Sequence, residues 1–74
     1  MESQKQLILR ASIKSADLQL IKGVSEGKPL TEIAEEMKKG KRTLDARLSR
    51  LRDQLQCRTT AQLVALFVRN NLID

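Results

Sequence analysis

Leu44, Leu48, Leu51 and Leu55 constrain this chain more than any other feature. They stand 4, 3 and 4 residues apart, and at about 100 degrees per residue they stay within a band about 60 degrees wide. That spacing predicts one continuous helix, about Lys41 to Gln56, with its leucine face turned into a core. The rest of the core must also be largely aliphatic, because the 74 residues hold no Trp, no Tyr and a single Phe67. Strands favour aromatic and β-branched side chains, so the composition points to an all-α fold. A chain of this length has space for one small domain.

Three more helices are expected around the leucine helix. Ser15 is placed to cap the first, Asp17 falls in its first turn, and Leu20, Ile21 and Val24 recur at helical spacing. Gly27 marks its end, so it spans about Ser15 to Glu26. Pro29 stands just ahead of Leu30, Ile33, Ala34 and Met37, the i, i+3, i+4, i+7 pattern of a buried stripe, which predicts a short helix from Leu30 to Lys38. Gly40 then breaks a lysine-rich stretch, as in the turn of a two-helix unit. Thr59 or Thr60 can cap a last helix, about Thr60 to Asn70, with Asn71 as its terminator. Residues 1–12 show a short apolar run, Leu7 to Leu9, without a clear period, and are expected to be a linker or leader that at most ends in a helical turn.

The last helix carries two apolar stripes. Leu63, Leu66 and Phe67 form one; Ala61, Val64, Ala65 and Val68 form another about 140 degrees round. The first fills the core. The second is left over unless residues 1–12 cover it, and it is the expected partner surface, a homodimer contact.

Several function classes lose ground on composition. There is no His and one cysteine, Cys57, so a zinc site, an intrachain disulfide and the usual general base near neutral pH are all missing. An enzyme, a cofactor and a metal centre are not expected. Cys57 is read as a small buried apolar residue and not as a redox sensor. No apolar run approaches the roughly 18 residues of a membrane span, and the opening MESQKQ is too polar for a signal peptide, so a cytoplasmic protein without membrane contact is expected.

Charge is what remains, and it is concentrated. The formal net charge is +5, yet the fifteen residues from Lys38 to Arg52 hold seven basic side chains against one acid, Asp45, while the rest of the chain is close to neutral. Opposite the leucines on the long helix lie Arg42, Ala46, Ser49 and Asp53, with Asp45 and Arg50 beside them and Arg47 and Arg52 flanking the leucine band. A face that is short and polar at its centre and basic at its edges suits a helix in the major groove of DNA. Short side chains allow close approach to base edges, and arginines reach the phosphate walls.

The order of these elements resembles the LuxR/GerE-type helix-turn-helix domain of bacterial transcription regulators, including the effector half of NarL-like response regulators of two-component signalling. The resemblance covers residues 13–74. Ile13, Lys14 and Asp17 stand as a degraded form of the opening Leu-Thr-x-x-Glu; Gly27 matches the glycine before helix two. Glu32-Ile33-Ala34 with Met37 matches the Glu-Ile-Ala segment and its following apolar residue. Thr43-Leu44, Gln54-Leu55 and Cys57 stand where the family has Thr-Val, Lys-Leu and a valine.

The resemblance implies a four-helix, sequence-specific DNA-binding domain whose recognition helix is 41–56. It places Asp45, Ala46 and Ser49 at base edges with Arg42 and Arg50 close by. Lys41, Thr43, Arg47 and Arg52 would hold phosphates, Thr43 partly through its backbone. It also implies pairing through the last helix; RNA polymerase is a further candidate partner, and a surface for it is what a sigma-factor-like domain would carry. Three departures stand out. Asp45 replaces a common lysine; it either accepts from cytosine or weakens binding, and it equally suits a plain ion pair with Lys41. Gly40 replaces a capping Ser or Thr. Thr60 replaces an arginine that braces the last helix against the acid of the first, a role Arg58 can take over by pairing with Asp17. Two other readings fit the same features: a sigma-factor region-four-like domain, and a helix-turn-helix-derived protein-interaction module that has lost DNA binding.

Overall fold

The computed structural model describes residues 3–74. Those residues form five helices: α1 (Gln4–Ala11), α2 (Ser15–Ser25), α3 (Leu30–Met37), α4 (Lys41–Gln54) and α5 (Thr60–Arg69). The fold is all-α, and among the described residues there is no strand. Among the described residues no helix is long and apolar enough to cross a membrane.

The leucine helix is continuous. Leu44, Leu48 and Leu51 are buried on α4, and Leu55, which caps its C-terminus, is 3% exposed. Each such leucine contributes about 1.5–3 kcal/mol when fully removed from water. They meet Leu20 and Ile21 of α2, Ile33 and Ala34 of α3, and Leu63, Leu66 and Phe67 of α5 in a single core. The helix ends at Gln54, two residues earlier than its spacing predicts, because Gln56 turns to a positive φ of 57° and the Cys57 N–H reaches back to the Arg52 carbonyl at 2.8 Å.

Residues 4–11 correct the expectation of a linker. Ser3 Oγ accepts from the Gln6 N–H at 3.2 Å, and Gln6 Oε1 accepts from the Ser3 N–H at 3.1 Å. This reciprocal cap satisfies backbone donors that a short helix would otherwise leave open. Leu7, Ile8 and Ala11 pack against the core, and α1 rests on α4, which leaves Leu9 73% exposed. The described residues thus hold five helices: the four expected over residues 13–74 and α1 ahead of them.

The start of α2 differs in mechanism. Ser15 lies inside the helix and Lys14 is the capping residue; its N–H donates to Asp17 Oδ2 at 3.0 Å. The acid in the first turn thus ties down the backbone at the helix start, while among the described residues no side chain accepts from the first-turn N–H groups as the serine was expected to do. α2 then packs closely on α3 at Gly23, where an added Cβ would come within 2.9 Å of Ile33 Cδ1. Gly27 holds φ 81° and closes the helix.

Only Lys38, Lys39 and Gly40 separate α3 from α4, and the two helices pack on each other. The residue with positive φ is Lys38 (φ 56°), not the glycine. Gly40 caps α4 with an ordinary φ of −72° and offers no side-chain acceptor. α5 has a complete reciprocal cap: Thr59 Oγ1 accepts from the Gln62 N–H at 3.0 Å, and Gln62 Oε1 accepts from the N–H groups of Arg58 and Thr59. Asn71, at φ 58°, ends it as expected.

Candidate nucleic-acid interface

Burial of the leucines decides which residues α4 can offer outward. Arg42, Ala46, Ser49, Arg50 and Asp53 are all exposed, as are Lys41, Thr43 and Asp45. Among the described residues no segment covers this surface at its centre. Arg42, Thr43, Ala46, Arg47 and Arg50 border a shallow depression of about 330 Å³ in which Ala46 is the low point by side-chain length.

The two arginines beside the leucine band behave differently from those on the outer face. Arg47 is half-buried, and its Nη1 lies 3.6 Å from Asp17 Oδ1, whose side chain is 10% exposed. Asp17 is the one buried charged residue among those described, so its charge needs a partner, and Arg47 supplies it. Arg52 Nη1 donates to Thr60 Oγ1 at 2.9 Å in a partly buried contact with α5. These two were expected to hold phosphates. In the structure Arg47 ties α4 to α2 and Arg52 ties α4 to α5. The expected Arg58–Asp17 pair is replaced by Arg47–Asp17, and the threonine standing where the resembled family has an arginine receives an arginine from the neighbouring helix.

Asp45 Oδ2 lies 3.6 Å from Lys41 Nζ, one turn away, with both side chains more than half exposed. The pair mutes the first cation of α4 and adds little stability, since exposed i,i+4 pairs contribute about 0.3–0.5 kcal/mol. Lys28 pairs at the surface with Glu36 at 3.1 Å and with Glu26 at 3.8 Å, and the Glu36 hydrogen bond and charge raise its pKa. It lies on the α2–α3 connection, away from α4.

On α5, Leu63, Leu66 and Phe67 are buried as expected. The second stripe is only partly left over: Val64 packs against the core, whereas Ala61 and Ala65 are exposed and Val68 is 42% exposed. α1 packs on α4, so it is not the cover the sequence offered for this stripe. Cys57 is half-buried beside Leu55, and desolvation pushes its thiol pKa up, which keeps it protonated near neutral pH.

Sequence reasoning missed the basic residues next to α4 on other elements. Arg10, at the last turn of α1, and Lys14, before α2, line a second depression together with Arg47 and Arg50. The signal for it was present: Ser3-Gln4-Lys5-Gln6 reads as a reciprocal cap, which would have made residues 4–11 a helix and put Arg10 at its end. Among the described residues no cluster of His, Cys, Asp or Glu could hold a metal ion. Comparison of the chain with family models, with curated proteins and with solved structures finds no match.

Proposed function

We propose that the chain is a helix-turn-helix DNA-binding domain of a transcription regulator, with α3 crossing the backbone and α4 in the major groove. The observation that carries this reading is the outward face of α4: an uninterrupted helix whose exposed side is short at Ala46 and Ser49 and basic at Arg42 and Arg50. The resemblance of residues 13–74 to LuxR/GerE-type domains supports it. Arg42 and Arg50 read or flank base edges, while Lys41 and Thr43 approach phosphates at the helix start. Asp45, Ala46 and Ser49 face the bases. Arg47 and Arg52 act on binding mainly by holding α4 in place. Pairing of two copies through Ala61, Ala65 and Val68, with Val64 behind them, would set two recognition helices on two half-sites.

The test is a salt series of binding to duplex DNA. Log affinity against log salt is expected to fall with a slope of several ions, because each neutralised phosphate adds about 0.9 to it. Absence of binding at about 50 mM salt, where such contacts are strong, would remove the reading. The protein-interaction module would then take its place, a reading favoured by the Lys41–Asp45 pair and by exposed Val68.

A further inference from the structure

We infer that the N-terminal helix is part of the duplex-binding surface: Arg10 and Lys14, with Arg50 opposite, form a cleft that takes a backbone phosphodiester at one edge of α4. This rests on the DNA-binding reading above and extends it to Arg10, which lies outside the resembled residues 13–74, and to Lys14, which lies outside the recognition helix.

The cleft lies between the end of α1, the start of α2 and the flank of α4. Its volume is about 280 Å³, where about 10–15 Å³ on the same measure holds one water, which leaves room for a phosphodiester and its solvent. Arg10, Ser12 and Lys14 stand on one side, Arg47, Arg50 and Gln54 on the other. Asp17 is the one acid in the lining; it is 7% exposed and already receives Arg47 and the Lys14 N–H. Its charge is therefore turned inward, and the exposed side chains of Arg10, Lys14 and Arg50 stand on the rim of the cleft.

Position selects the ligand. Arg47 and Arg50 line both this cleft and the depression on the outer face of α4, so the two surfaces are continuous. A duplex that receives α4 in its major groove has a phosphate strand along each side of that helix. On the Arg47 side of α4 the strand runs onto Arg10 and Lys14. α1 thus has a purpose beyond covering apolar surface: it carries a cation to the edge of the footprint.

The experiment compares the full chain with Arg10→Gln/Lys14→Gln in duplex binding between about 50 and 200 mM salt. Loss of this phosphate contact should lower the salt slope by about 0.9 and weaken binding at low salt by roughly tenfold. The charge-keeping Arg10→Lys/Lys14→Arg should restore both. Urea unfolding of all three chains, run beside the binding series, separates a loss of stability from a loss of the phosphate contact. On the unaltered chain, saturating duplex should shield Lys14 Nζ from acetylation, which tests the contact without any substitution. Inorganic phosphate alone should give no comparable shielding. If the full chain binds duplex while the neutral variant keeps the slope and Lys14 stays reactive, this inference fails and the DNA-binding reading stands. If phosphate alone shields Lys14 as well as duplex does, the cleft is a free-anion site and the inference fails. If the full chain binds no duplex, both fall.

Discussion

Arg42 and Arg47 lie five residues apart on α4, about 140 degrees round the helix, and they meet different surroundings. Arg42 is exposed on the outer face. Arg47 is drawn to the buried carboxylate of Asp17. Arg52 mirrors Arg47 on the other side of the leucine band: each sits about 70 degrees from its centre, and Arg52 is held by Thr60. The helix therefore divides its arginines by azimuth. Those at the border of the apolar stripe fasten neighbouring helices, and those on the far side are available to a partner. A run of like residues on one helix is not one surface, and net charge alone overstates how much of it a ligand can reach.

That division can be broken most severely from beneath. Leu44→Ala removes a fully buried anchor of the stripe and should destabilise the chain by about 2–5 kcal/mol, enough to unfold a marginal domain of this size. Urea unfolding measures it, and a loss under about 1 kcal/mol would mean that the leucine face does not orient α4. Next comes the border. Arg47→Ala should lose about 1–2 kcal/mol through the Asp17 contact, while Arg42→Ala should stay within about 0.5 kcal/mol. A cycle with Asp17→Asn should show that the Arg47 effect depends on Asp17; equal losses at positions 42 and 47 would erase the contrast.

The outer face gives the complementary result. Arg42→Ala should weaken duplex binding by roughly tenfold at low salt and lower the salt slope by about 1, with the melting temperature unchanged. If affinity survives and stability drops, Arg42 serves the fold as Arg47 does. The smallest effect is expected from Asp45→Asn, which releases Lys41 from its exposed pair. Stability should move by no more than about 0.5 kcal/mol, and affinity for random duplex should rise a few-fold. A fall in affinity confined to particular sequences would instead identify Asp45 as an acceptor for a base.

The parts of this molecule that could be read in the sequence are those set by periodicity. The leucine spacing placed α4, the Leu30–Met37 pattern placed α3, and the two stripes of α5 separated its buried side from its exposed one. The partners of the border arginines could not be read, because they depend on which acceptor a second helix brings within reach. Asp17 is far from Arg47 in sequence, and Thr60, eight residues beyond Arg52, comes within reach only once α5 folds back on α4. α1 was missed for a different reason. Its apolar run is too short to show a period, and it holds together through the Ser3–Gln6 cap and its contact with α4. The close approach of α2 and α3 at Gly23 was likewise invisible, since nothing local marks a glycine chosen for the helix it faces.

The three-residue corner between α3 and α4 has a consequence of its own. Lys38 holds the left-handed angle that glycine takes at least cost, while Gly40 holds an angle open to any residue and leaves the first turn of α4 without a side-chain acceptor. Exchanging the roles, Lys38→Gly with Gly40→Ser, should raise stability by about 1 kcal/mol and the melting temperature by several degrees. The corner thus holds thermal resilience in reserve, and in its present form it keeps Lys38, Lys39 and Lys41 together at the tip of the α3–α4 bend.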